Sequence, residues 1–232
     1  MAAVPLDRAE PPHVLPDLLQ PGLRVVFCGT AAGTVSARRG QYYAHPQNRF
    51  WPTLHAVGLT PRRLDPAEFA LLPGFGVGLT DIAKHVFGMD RQLPAGSLGR
   101  LACEALSARI LAHRPAIVAF TSLTAGRSFL RRAAGFGEQP ETIGATRLWL
   151  LPSPSPAANW NWRANEGWWR ALAEAARAKA LDSASNDDAE PPIDGEGQCA
   201  RGSRPTTVWR PRPGPSPGRP GRPASSTRRS RR

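Results

Sequence analysis

Four short apolar runs, each cut off by a loop and parted from the next by a stretch of helical character, constrain this chain more than any other feature. They are LRVVFCG (23–29), GVGLTDI (76–82), AIVAFTS (116–122) and TRLWLLPS (146–153). Short β-branched runs bounded by Gly, Ser or Pro read as buried strands. Between and after them lie helix-like segments: NRFWPTLHAVG (48–58), DPAEFALLPG (65–74), SLGRLACEALSARILAHR (97–114), TAGRSFLRRAAG (124–135) and NEGWWRALAEAARAKAL (165–181). In the second of these Asp65 suits the N-cap and Pro66 the first helical position. Strands alternating with helices predict an α/β fold, a three-layer α/β/α sandwich around a central, mainly parallel sheet of four to five strands. In such sheets binding sites form in the loops beyond the carboxyl ends of the strands. The unusual segments all fall there: 29–51, 80–93 and 153–165.

The 232 residues, 41% of them hydrophobic, suffice for one domain with appendages. Residues 1–22 read as a Pro-rich lead-in and 23–181 as the domain. Residues 182–232 read as a tail, acidic and then rich in Arg and Pro, with too few large apolar residues to build a core. The net charge of +12 points to a polyanionic partner, nucleic acid first. Ten Arg lie in 201–232 and six acids in 182–196, yet 1–181 stays basic without them. The tail is expected to add salt-sensitive, sequence-independent affinity.

Three Cys without a C-x-x-C spacing argue against a zinc or iron–sulfur site and against disulfides, so no metal is expected. No apolar run reaches the ~18–20 residues that span a bilayer. The N-terminal residues lack the basic and apolar regions of a secretory signal. The expected setting is the cytoplasm of a bacterium, at the nucleoid, with the protein as a monomer and no membrane partner.

The most informative segment is GTAAGTVSARRGQYYAHPQNRFW (29–51), read with LPSPSPAANWNW (151–162). The frame Gly29-Thr30-Ala31-Ala32-Gly33, Ser36-Ala37, Tyr43 and Ala44-His45-Pro46-Gln47-Asn48-Arg49-Phe50-Trp51 resembles the uracil-DNA glycosylase superfamily. It is most similar to the mismatch-specific (G:U/T) branch, whose first motif is Gly-Ile-Asn-Pro-Gly. Ser153-Pro154-Ser155-Pro156 stands where that branch has Asn-Pro-Ser-Gly. The resemblance spans roughly residues 20–180. It implies a monofunctional enzyme that needs no cofactor and hydrolyses the N-glycosidic bond of uracil in DNA, within base-excision repair.

Chemistry sets what such a site needs. A base can be cut from duplex DNA only after it leaves the stack for a pocket. Tyr43 suits the aromatic face of that pocket. Backbone N–H groups of Gly29, Thr30, Ala31 and Gly33, read as a turn at a helix start, suit the negative charge on the departing base. Asn48 either caps its helix or supports the pocket floor.

The frame lacks its acceptor for water. The resemblance assigns that role to the Asn of the first motif, and Ala31 stands there. Ser153 is a short substitute for the Asn or His of relatives. Segment 78–94 supplies the replacement. Asp81, at the end of the second strand, either aims a carboxylate into the pocket as general base or caps a helix beginning at Ile82. Asp90 is the alternative catalyst. His85 either faces Asp81 across one helical turn or contacts phosphate.

Arg38, Arg39 and Gln41 suit phosphate contacts. The resemblance places Ser155, Ala157 and Asn159 at the DNA, with Ala157 too small to fill the gap left by an extruded base. Alternative activities are removal of another deaminated base, hypoxanthine or xanthine, and binding of damaged DNA without cleavage.

Overall fold

The computed structural model describes residues 12–187, and the side chains of all but 159–161 and 179–187 among them. The strands are β1 (Val25–Ala32), β2 (Val77–Phe87), β3 (Ile117–Phe120), β4 (Gly137–Ile143) and β5 (Thr146–Leu150). They form one sheet in the order β2-β1-β3-β5-β4. β1 pairs in parallel with β2 and β3, and β3 with β5, while β4 is antiparallel to β5. This is the expected mainly parallel sheet.

Helices α1 (Thr34–Arg39), α2 (Phe50–Ala56), α3 (Arg100–His113), α4 (Leu123–Leu130) and α5 (Trp162–Asp187) complete the layers. Side chains alternate across a strand, so each strand feeds two cores. Val25 and Phe27 of β1 join Leu79 and Ala119 beneath Phe50 and Leu54 of α2 and Trp169 and Leu172 of α5. Val26 and Cys28 point the other way, to Leu106 and Ile110 of α3 and Ala125 and Phe129 of α4. Each fully buried Phe or Leu contributes about 1.5–3 kcal/mol. Gly126 lets α4 lie directly on β5, because a Cβ there would overlap the Leu150 side chain.

Four elements differ from the sequence expectation, each for a physical reason. First, β1 does not turn at Gly29. It runs to Ala32, because Gly29 and Ala31 keep their parallel partners Asp81 and Ala83. The change of direction comes at Gly33, the extended residue that opens α1. Second, β2 does not stop at Ile82, and no helix begins there, so Asp81 caps nothing. An N-terminal strap bonds along the outer side of β2 and keeps it extended. Val14 N–H donates to Lys84 O (2.7 Å), and Leu18 and Leu79 exchange N–H···O bonds of 2.9 and 3.2 Å.

Third, β4 (GEQPETI) is not among the four expected strands, because it carries polar residues and Pro140. It survives as an edge strand, where Pro and polar side chains are tolerated. Fourth, residues Pro66–Phe75 wind as a 3-10 helix containing Pro73. Asp65 caps it as expected, its carboxylate accepting from Ala67 N–H (3.0 Å). The folded unit thus begins before residue 23, and its last helix passes residue 182 to reach Asp187. The Arg-rich part of the tail lies outside the described residues. No helix among the described residues is long and apolar enough to cross a membrane.

Candidate functional site

The carboxyl ends of the parallel strands open into a cleft of about 800 Å³. Its walls come from the end of β1 and the start of α1 (Gly29–Ser36), from Tyr42, Tyr43, His45 and Asn48, and from Asp81. The segments Gly88–Arg91, Thr121–Thr124 and Ser153–Ala158 complete the rim, with Leu15 of the strap. Four segments far apart in sequence, after β1, β2, β3 and β5, therefore meet in one place, as the parallel topology dictates.

Asp81 lies within β2, directly opposite Gly29 in the parallel register. Gly29 has no Cβ, and Asp81 Oδ1 sits in the space that one would fill; Thr121 Oγ1 lies 3.9 Å from the same point. The carboxylate is thus seated on a glycine at the cleft floor. The residue is 5% exposed, and burial pushes its carboxyl up from the ordinary 3.8 to about 6. Lys84 and Arg109 pull against that rise, and Asp17 adds to it.

These three charges, Lys84 buried and Asp17 and Arg109 half-buried, form a set beside the site. Asp17 of the strap accepts from Thr80 Oγ1 (2.6 Å) and pairs with Lys84 Nζ (2.7 Å) and Arg109 Nε (3.2 Å). Arg109 also donates from Nη2 to the backbone oxygen of Asp81 (2.9 Å). Lys84 Nζ donates to the Tyr42 hydroxyl (3.3 Å). None of this set was anticipated. One signal was present: the chain has two lysines, Lys84 and Lys179, and Lys84 follows an apolar strand. A Lys that is one of only two among thirty Lys and Arg residues marks a place where a compact point charge is wanted.

Tyr43 lines the cleft in the left-handed backbone region (φ 52°), which costs a non-glycine residue about 1–2 kcal/mol. It is held there on both sides. Its ring stacks on Phe50 at 3.9 Å between centroids, and its hydroxyl shares a hydrogen bond with Thr121 Oγ1 (3.2 Å). The preceding carbonyl, Tyr42 O, accepts from Trp51 Nε1 (3.1 Å). Burial raises the Tyr43 phenol, which stays neutral. Such over-determined strain gathers where a ligand is received.

Asn48 lines the cleft, and its Oδ1 accepts from Phe50 N–H (2.9 Å), one residue before Arg49, the N-cap of α2. Ser153 lines the cleft, and its hydroxyl accepts from Ser155 N–H (3.2 Å). Arg49 N–H donates to Pro154 O (3.0 Å), which ties the first motif to the second. Thr30 Oγ1 donates to Asp90 Oδ1 (2.6 Å), and Gly88 N–H donates to Ala32 O (2.9 Å), so the 88–92 turn is fastened to the end of β1. Asp90 is exposed at the mouth, whereas Asp81 is at the floor.

The remaining sequence candidates spread outward. Ser155 and the exposed Ala157 lie on the rim; Asn159 follows on the same turn of 3-10 helix, its side chain outside those described. Arg38 and Arg39 are exposed at the end of α1, outside the cleft lining, with Arg39 Nη1 donating to Ala44 O (3.3 Å). Gln41 follows them, half-buried. His85 does not face Asp81. On a strand, four residues separate two side chains by about 13 Å, and the exposed His85 ring lies 5.2 Å from His13. Thr121, His45 and Arg91 line the cleft and were not singled out from sequence. Among the described residues, no three His, Cys, Asp or Glu gather as a metal-binding group.

Comparison with known proteins matches residues 16–176 to the Uracil DNA glycosylase superfamily. The fold is similar to that of a candidate uracil DNA glycosylase from Methanosarcina acetivorans, solved by solution NMR. The TM-score is 0.50 and the identity 20%, over 70% of this chain and 96% of that one.

Proposed function

The chain belongs to the uracil DNA glycosylase superfamily, and from that membership we propose that it hydrolyses the N-glycosidic bond of uracil in DNA. The product is an abasic site, and the setting base-excision repair, carried out by a monomer at the bacterial nucleoid. The observation that carries the proposal is the Asp81 carboxylate seated over Gly29 at the cleft floor. The first motif itself offers no carboxylate or amide, Ala31 standing where the resemblance expects Asn.

The mechanism follows from the groups in place. The target nucleotide leaves the stack and its base enters the cleft against Tyr43, which Phe50 braces from behind. Asn48 spends its oxygen on Phe50 N–H, so its amide N–H groups remain for a carbonyl of the base. As the glycosidic bond lengthens, negative charge gathers on the base and positive charge on the sugar. Asp81, ionised above about pH 6, accepts a proton from water and directs its oxygen to the sugar carbon. The same negative charge stabilises the oxocarbenium-like sugar. Arg38, Arg39 and Arg91 take the phosphates on either side.

A second substrate class has one observation in its favour. Ala31 and Ala32 leave the β1 side of the 800 Å³ cleft without a bulky side chain, which gives room for a deaminated purine, hypoxanthine or xanthine. A panel of labelled oligonucleotides tests both. Uracil, hypoxanthine or xanthine is placed in single strand and opposite each base, and alkali-labile cleavage is measured. Uracil is expected to be cut fastest. A purine cut faster makes the second class the main one, and binding without any cleavage sinks the enzymatic reading.

A further inference from the structure

An extruded base leaves a hole in the duplex, and the base returns to it unless something fills the space. The rim residue after the second motif, Ala157, is exposed but ends in a methyl group. The opposite rim is different. Phe87 ends β2 at 52% exposure and Met89 follows at 46%. Of the exposed large apolar side chains among the described residues, Met89 alone lines the cleft. Exposed apolar residues on a rim mark a surface that is covered in use.

The segment that carries Met89 is fixed before any ligand arrives. Gly88 N–H donates to Ala32 O, Gln92 N–H to Met89 O (2.7 Å), and Thr30 Oγ1 to Asp90. A side chain presented on a fastened turn loses little freedom when it is inserted. Arg91 stands two residues on at the same rim, a cation for the adjoining phosphate. Methionine is unbranched and polarisable, and apolar wedges of this kind enter between base steps in other DNA-bending proteins.

We propose that Met89 enters the DNA stack and fills the space vacated by the extruded base, with Arg91 on the neighbouring phosphate and Phe87 widening the apolar rim. The inference rests on the base-extruding function proposed above. The hole exists in duplex DNA and not in a single strand, which supplies the test.

Single-turnover cleavage is measured on uracil in duplex and on the same strand alone, for wild type, Met89→Ala and Met89→Leu. The alanine variant is expected to lower the duplex to single-strand rate ratio about tenfold, and the leucine variant to restore most of it. An unchanged ratio overturns the proposal. So does an equal loss on both substrates, which marks Met89 as cleft wall. In a second arm, 2-aminopurine beside the uracil reports unstacking on binding, and its fluorescence rise should shrink in Met89→Ala. If wild type cleaves no substrate, the functional reading fails by itself. The fluorescence arm still decides the wedge: equal rises in wild type and Met89→Ala overturn it.

Discussion

β1 and β2 run side by side into the same cleft and bring opposite chemistry to it. β1 arrives as Gly29-Thr30-Ala31-Ala32, which offers backbone, space and one hydroxyl. β2 arrives with Asp81 and Lys84, and gathers Asp17 and Arg109 around them. The two are complementary in a literal sense, since the missing Cβ of Gly29 is the seat of the Asp81 carboxylate. The lesson is that a polar group absent from one strand can be supplied by its neighbour, provided that the first strand makes room. A motif read along one strand then looks empty although a carboxylate lies over it from the next.

The largest effect that tests this division is expected from Asp81→Asn. The change keeps the shape and removes the charge. Single-turnover cleavage should fall at least ~100-fold, within the range of positioned acid–base groups. A variant that cleaves at the wild-type rate moves the chemistry off β2. Stability should move the other way. Between the ordinary 3.8 and about 6 the folded protein holds a proton that the unfolded chain has released, so stability falls as pH rises through that window. A shift of about two units corresponds to about 3 kcal/mol. The melting temperature of Asp81→Asn should therefore exceed that of wild type at pH 8 and match it near pH 4. In wild type the rate should drop as pH falls through about 6, and that limb should vanish in the variant.

Next in size is Gly29→Ala, which adds only a methyl group. It meets Asp81 Oδ1 directly, so the carboxylate must leave its seat. A rate loss of about 10–100-fold is expected, with DNA affinity held, as misplacement by an ångström typically costs. Full activity would mean that the two strands are not coupled in this way. Ala31→Asn, made in the Asp81→Asn protein, should win back up to about tenfold, since a positioned acceptor returns to β1. The smallest effect is expected for Asp90→Asn, which keeps the bond to Thr30 and stays at the mouth: a loss under about fivefold in the same assay. A larger loss there than at Asp81 reverses the assignment.

Part of this was legible in the sequence. β1, β3 and β5 are plain because their apolar runs are buried on both faces, and that burial is itself the signal. Asp81 drew attention as an acid read at a strand end, although it lies inside β2. Its seat did not, because parallel register is set by strands fifty residues apart and by no local pattern. The continuation of β2 through Lys84 and His85 was hidden for a related reason. A charge inside a strand reads as an end, and its counter-ion, Asp17, sits in a Pro-rich segment that reads as a loose lead-in. β4 was missed because an edge strand may be polar and hold proline without penalty, so its composition is that of a loop.

The strap has a consequence for where this chain can be cut. Trimming to residue 23, at the first apolar run, would remove Asp17 and strip the outer side of β2. An open edge is a row of unpaired N–H and C=O groups, a template for another copy. Lys84, 4% exposed, would keep its charge with its closest carboxylate gone, and breaking a buried pair costs about 3–5 kcal/mol. A fragment of 23–187 is expected to elute as oligomers, whereas 12–187 stays monomeric, and Lys84→Met should return part of the lost stability to the shorter one. Eleven residues of apparent leader, 12–22, thus cover the open edge of the sheet.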